Sequence, residues 1–326
     1  MSEKKLIVVA LGGNAILQAE EKGTVWEQLK NVEHTCEELI KLNRMNYKII
    51  LTHGNGPQVG TLLSQQEETA AIIPAQPLDV VGAMTQGQIG YMFQSTLHNY
   101  FLSVGKDIPV ATVVTQVIVD QNDPDFQNPS KPVGSFFTEE TALQMKREKG
   151  WLVKEVKPDG PRNWRRVVPS PEPKGIVEID VIHALLDAHV IVVASGGGGV
   201  PVVKNEAGEV HGIEGVVDKD KAGHILAQEL SANIYMILTD VQSAFLNFGK
   251  SDQKPIGEIT VSEMEALLKE GHFLQGSMGP KIEAGIRFVR GGGEMSIITS
   301  IDNTTRALRG ECGTIILPDH PRGSTL

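Results

Sequence analysis

Lysines in this chain stand where helix electrostatics disfavour them. The segment Val217-Asp218-Lys219-Asp220-Lys221 leads into a helix expected over 222–230. The segment Gly276-Ser277-Met278-Gly279-Pro280-Lys281 opens a helix expected over 281–290, with Pro280 suited to a first turn. A helix N-terminus carries roughly half a positive charge, so an ammonium there is unfavourable unless an anion shares the site. Three glycine clusters follow apolar runs: Gly12-Gly13 before Asn14, Gly54-Asn55-Gly56 after His53, and Gly196 through Gly199. Glycine lets backbone N–H groups approach phosphoryl oxygens closely, and Asn14 adds an amide donor. Each feature has a plainer reading: a tight turn, a hinge, or a solvated helix cap. His53 reads as a packed or hydrogen-bonded histidine rather than a base. Together, the lysines and the glycine loops point to a polyphosphate ligand.

Such loops need a scaffold that ends them side by side. Short β-branched runs recur at 6–11, 48–52, 110–120, 190–194, 235–238, 295–299 and 314–317. Several are apolar throughout, as expected of parallel strands covered on both faces. Helical spacing appears between them, in Trp26, Leu29, Val32, Cys36, Leu39 and Ile40, and in Ile282, Ile286 and Val289. Ser262 with Glu265 gives a capping-box signal, and Gly271 suits a helix end. The alternation predicts an α/β fold with helices on both faces of a mainly parallel sheet, with ligands at the strand carboxyl ends.

The 326 residues suit about two domains or one large α/β unit. A net charge of −10 argues against nonspecific nucleic-acid binding, while leaving room for a local basic pocket. Cys36 and Cys312 make no disulfide framework and fit a reducing cytoplasm. No apolar run has the length of a membrane span or signal segment, so neither membrane nor nucleic acid is an expected partner. No zinc spacing, HExxH, GxSxG or CxxC occurs, and no metal-ligand set is expected. Near Gly249-Lys250-Ser251 the P-loop pattern fails, because Ala244 stands where its first glycine belongs.

Residues 121–175 stand apart. They hold 8 of the 17 prolines and carry +2 where the remainder carries −12. Phe136, Phe137, Trp151 and Trp164 argue for an ordered unit, with a short helix near 138–149. We read it as an insertion protruding from the sheet; a plain surface loop is the alternative. Residues 319–326 read as a frayed tail.

The segments ALGGNA, HGNGPQVG, NPSKPVG, VVPSPEP, SGGGGVPVV, VDKDKA, ILTDV and GSMGPKIEA run in order from position 10 to position 284. Together they resemble the carbamate kinases, within the amino-acid kinase fold, and the similarity extends from about 6 to 318. The resemblance implies a three-layer α/β/α sandwich and a homodimer. It implies phosphoryl transfer between carbamoyl phosphate and MgADP, giving ATP and a carbamate that decays to ammonia and carbon dioxide. That step closes the arginine deiminase route of fermenting microbes. The lobes would be 1–215 for carbamate and 216–318 for the nucleotide.

By the same resemblance, Lys219 and Lys281 match lysines that contact the transferred phosphoryl group, and Asp220 the carboxylate that holds them. Gly12, Gly13, Asn14, Gly54 and Asn55 match the shell around carbamate and phosphate, with Gly196 and Gly197 beside it. Lys131, in the insertion, matches a lysine reaching over the carbamoyl phosphate site. Thr239, Asp240, Val241, Gly276, Ser277 and Met278 match the nucleotide side. Most amino-acid kinases carry a lysine two residues before the Gly-Gly pair; here that position is Ala10, and Lys219 is the expected replacement charge. This weakens acetylglutamate, aspartate and uridylate kinase readings. Phosphoryl transfer needs alignment and neutralised oxygens rather than a protein nucleophile, so no phosphoenzyme is expected. Two alternatives remain: the same site run biosynthetically, or a silent nucleotide-binding regulator, which would tolerate losing one of Lys219, Asp220 and Lys281.

Overall fold

In the computed structural model, which describes residues 4–18, 20–156, 160–273 and 277–319, the run Leu6–Leu11 forms strand β1, every residue of it buried. Leu6, Val8 and Ala10 enter one hydrophobic cluster, and Ile7, Val9 and Leu11 another. A strand covered on both faces has no solvent side, which is why its sequence does not alternate.

The chain continues through α1 (Val25–Arg44), β2 (Lys48–His53), α2 (Gly56–Thr69), α3 (Leu78–Ser103), β3 (Val110–Thr112) and β4 (Gln116–Val119). The insertion follows, with β5 (Lys131–Phe137), α4 (Glu139–Lys149), β6 (Val153–Glu155) and β7 (Trp164–Val168). Next come β8 (Pro173–Ile176), α5 (Ile179–Asp187), β9 (Ile191–Val193), β10 (Val200–Lys204), β11 (Val210–Gly212), α6 (Lys219–Glu229) and β12 (Ile234–Thr239). The hairpin β13 (Phe245–Leu246) and β14 (Lys254–Pro255) leads to β15 (Glu258–Thr260), α7 (Val261–Lys269), α8 (Met278–Arg290), β16 (Met295–Ser300), α9 (Thr304–Leu308) and β17 (Thr314–Leu317).

The main sheet runs β15-β17-β16-β12-β1-β2-β9-β3, and only the β16–β17 pair is antiparallel. Helices α1, α3 and α9 pack on the face holding Ile7 and Val9; α5, α6, α7 and α8 pack on the face holding Val8 and Ala10. The result is a three-layer α/β/α sandwich. Among the described residues no helix is long and apolar enough to cross a membrane.

Several local expectations change. The run 110–120 divides: β3 joins the main sheet beside β9, whereas β4 enters a second sheet, β11-β10-β4-β8. The capping box forms at Thr260 and Glu263, where side chain and backbone N–H bond reciprocally. Ser262 is instead taken by the Asp319 carboxylate, 57 residues away, which its N–H and hydroxyl both reach at 2.9 Å. Helix α6 starts at Lys219 and α8 at Met278, three residues earlier than expected in each case. Gly271 does follow α7, at φ +79°.

The described residues of the insertion, 121–175, form regular elements. Its antiparallel sheet β5-β7-β6 carries α4, Arg165 lies over the Phe136 ring, and Lys149 and Arg166 lie over Trp151. It leans on α2 through Val133 and Val168, which share a small apolar cluster with Val59 and Leu63, and through a Ser64–Ser135 hydroxyl contact of 2.8 Å.

Candidate active site

The glycine loops meet because their strands are neighbours. Leu11 pairs with His53 in register, the Gly54 N–H donates to the Leu11 carbonyl at 3.0 Å, and the Gly12 N–H donates to the Leu238 carbonyl at 2.9 Å. A Cβ on Gly54 would lie 3.3 Å from the Gly13 nitrogen and 3.3 Å from Lys219 Cδ, so the two loops and the stem of Lys219 are in contact. They border a cleft of about 840 Å³ between the carboxyl ends of β1 and β2 and the insertion.

Asp220 sits at the cleft, nearly fully buried, with a lysine on each oxygen. Lys219 Nζ donates to its Oδ1 at 2.5 Å and Lys281 Nζ to its Oδ2 at 3.1 Å. The Tyr235 hydroxyl donates to the Asp220 carbonyl at 2.9 Å and fixes the turn from below. Asp218 caps α6 by accepting the Asp220 N–H at 2.9 Å, and its other oxygen accepts Lys131 Nζ at 3.0 Å. Burial pushes the Asp218 carboxyl up, but Lys131 and Lys219 outweigh it and hold the group well below the usual carboxylate range. Burial and the neighbouring Lys219 pull the Lys281 ammonium down, with Asp220 and Asp218 opposing.

Three ammoniums thus face two carboxylates, an excess of one positive charge in a largely desolvated place. The N-termini of α2, α6 and α8 border the same cleft, through Asn55-Gly56-Pro57, Asp218-Lys219 and Ser277. Among the described residues neither α2 nor α8 has a side-chain cap on its first N–H groups. Such a surface neutralises and orients a multiply charged oxyanion.

Lys131, Gly13, Gly54, Asn55, Gly197, Lys219, Asp220, Ser277 and Lys281 line the cleft together. Gly12 does not; it bridges from the cleft to Thr239, whose Cα would lie 3.8 Å from its Cβ. Gly196 also stays behind the surface, because His53 Nε2 occupies the space, 2.4 Å from where its Cβ would be. Thr239, Asp240 and Val241 lie at the carboxyl end of β12, beyond Gly12, with Thr239 Oγ1 donating to Asp240 at 2.9 Å. The Met278 side chain packs on the hydrophobic core. Gly276 and the Asn14 side chain lie outside the described residues. Among the described residues no three His, Cys, Asp or Glu side chains gather as a metal-ligand set.

The pattern of the amino acid kinase family matches residues 5–300. The carbamate kinase of Thermococcus kodakarensis is 55% identical over 316 residues, covering 96% of this chain and 99% of that protein. This chain is a carbamate kinase family member. That of Pyrococcus furiosus is 51% identical over the same shares. The solved carbamate kinase from Giardia lamblia bound to AMP-PNP superposes with a TM-score of 0.92, at 46% identity over 98% of this chain and all of that one. An N-acetylglutamate synthase from Neisseria gonorrhoeae, 13% identical with a TM-score of 0.57, shares the fold alone. Membership in this family makes the chain a kinase, a phosphotransferase.

Some residues at the cleft were not expected from the sequence. Asp218 lies within the VDKDKA segment without an expected role of its own; its signal is an acidic N-cap preceding a turn of alternating charge. Arg165 lines the cleft from β7, stacked on Phe136, and Thr85 accepts the Asn55 amide at 2.8 Å from α3. Neither has a local signal.

Proposed function

We propose that this chain catalyses reversible phosphoryl transfer, ADP + carbamoyl phosphate = ATP + carbamate, the carbamate then decaying to ammonia and carbon dioxide. The observation that carries the reading is the largely buried Lys219–Asp220–Lys281 set, with its excess positive charge, under glycine loops and three helix N-termini. Lys219 and Lys281 take opposite sides of the transferring phosphoryl group, and Asp220, committed to both, orients them rather than accepting a proton. Gly13, Gly54 and Asn55 hold the carbamoyl end. Thr239, Asp240, Val241, Ser277 and Met278, with Gly276, hold the nucleotide, which enters as its Mg²⁺ complex. Lys131 closes over carbamoyl phosphate and keeps water out, which limits hydrolysis.

The same reading makes the chain a cytoplasmic homodimer working at the ATP-yielding end of arginine deiminase fermentation. Support for a second copy comes from α3, where Val80, Met84 and Tyr91 are exposed on one helical face. The test is ATP formation from ADP, Mg²⁺ and carbamoyl phosphate, with acetyl phosphate as parallel donor. Fast ATP formation that requires carbamoyl phosphate supports the reading. No ATP from a folded protein that binds ADP sinks it in favour of a silent regulator or another acceptor.

A further inference from the structure

Two motifs contain charged residues that the proposed reaction leaves unused: Glu172 in VVPSPEP and Lys221 in VDKDKA. The structure joins them. The Lys221 ammonium pairs with Glu172 Oε1, and Arg287 Nη1 donates to Glu172 Oε2 at 2.9 Å. Lys221 sits on α6 two residues after Lys219, and Arg287 sits on α8 six residues after Lys281. One carboxylate at the foot of the insertion therefore grips both helices that carry the cleft lysines. Glu172 itself does not line the cleft. Burial pushes its carboxyl up, but Lys221 and Arg287 outweigh this and hold it ionised below its ordinary range.

The foot is stiff for a reason visible in the chain. Pro169, Pro171 and Pro173 fix φ and carry no N–H, so the segment 169–173 has two backbone donors, Ser170 and Glu172. Both are used across the base of the insertion: Ser170 N–H donates to Asp125 Oδ2 at 2.5 Å and Glu172 N–H to Asp123 Oδ2 at 2.9 Å. Asp125 also accepts the Ser130 hydroxyl at 3.1 Å, one residue before Lys131. The outgoing and returning arms are thus tied to each other, and Glu172 ties the pair to α6 and α8.

We propose that Glu172 is a positioning residue: it pins the foot of the insertion to the two lysine-bearing helices and so sets where Lys131 arrives over the cleft. This rests on the phosphotransfer reading above for its kinetic consequence, though not for the pin itself.

The test uses the full-length chain as wild type, Glu172→Gln, Lys221→Met, Lys131→Ala and the double variant Lys131→Ala with Glu172→Gln. In the single foot variants the KM for carbamoyl phosphate rises about tenfold, the order expected for a misplaced positioning group, while the KM for ADP stays within about twofold. In the Lys131→Ala background Glu172→Gln adds less than about twofold, because both changes act through one group. Amide exchange, measured without substrates, speeds up over 120–130 and 168–173 in both foot variants. Equal losses on both substrates, a full effect of Glu172→Gln in the Lys131→Ala background, or unchanged exchange at the foot each overturn the proposal. Should the wild type make no ATP from carbamoyl phosphate, the phosphotransfer reading fails, and the exchange measurement alone decides whether the pin exists. If Glu172→Gln does not fold, Lys221→Met cuts the same link from the helix side.

Discussion

The Lys131 ammonium lies 3.0 Å from the Asp218 carboxylate, although 87 positions separate them in the chain. The same carboxylate caps α6, so the insertion touches the first turn of that helix at its cap. Removing Lys131 breaks this contact without touching the nucleotide side. We expect Lys131→Ala to raise the KM for carbamoyl phosphate by at least about tenfold, roughly 1.4 kcal/mol, with ADP affinity little changed. Steady-state kinetics on both substrates decide it; equal losses would remove Lys131 from the carbamoyl phosphate site.

Lys219 and Lys281 share Asp220 and face the cleft together. Fixed charges of this kind typically contribute about 10² to 10³ in rate each, so Lys219→Ala and Lys281→Ala should lose at least that while melting near wild type. Deleting Asp220 is the less clean experiment, because it removes the carboxylate that both largely buried ammoniums bond to and destabilises the fold as well. A lysine variant with near-wild-type turnover would contradict the assigned roles.

His53 is fully buried, stacked near Phe93, and its Nδ1 donates to the Gly54 carbonyl at 3.0 Å, while Nε2 has no hydrogen-bond partner among the described residues. Burial pulls its pKa down from 6.5 to about 4. The folded state therefore binds its proton less readily than the unfolded state. Stability from the neutral ring is present above pH 6.5 and is lost as pH falls toward 4. Between pH 7 and 4.5 the wild type should lose about 2 kcal/mol more than His53→Gln, since each tenfold difference in proton affinity between the two states is worth about 1.4 kcal/mol. Urea melts across that range measure it; parallel curves for the two proteins would exclude a buried neutral ring.

Gly197 has φ +67°, and a Cβ there would meet Asn55 Nδ2 at 2.0 Å. Alanine would have to displace the amide that donates to Thr85, in addition to the left-handed backbone strain of about 1–2 kcal/mol. Gly197→Ala should therefore lower the melting temperature clearly. Gly60, inside α2 with open space at its Cβ, gives the opposite expectation: Gly60→Ala gains up to about 1 kcal/mol from helix propensity. Thermal melts of the pair separate a glycine required by its neighbours from one that is not.

The sequence by itself determined the layer architecture and the charge anomaly. Runs such as Leu6–Leu11 and Thr314–Leu317 match their strands residue for residue, because burial on both faces is written into every consecutive side chain. A lysine in the first turn of α6 or α8 is likewise a local signal, since the helix dipole acts within a turn. Tertiary structure alone decided what those signals meant. Lys281 reaches Asp220 across 61 positions, and no spacing rule connects them. The run 110–120 is rich in β-branched residues along its length, yet it divides because β9 pairs with its first part while β8 and β10 pair with its second. From the sequence, the four glycines at 196–199 read as a close approach to substrate, with a hinge as the plainer reading. Their Cβ positions fall on His53, Asn55, Val217 and Val117, so protein contact already requires glycine at each. Periodicity and end effects are properties of neighbouring residues and survive in a one-dimensional reading; shared partners and close approaches exist only after the sheet has brought distant loops together.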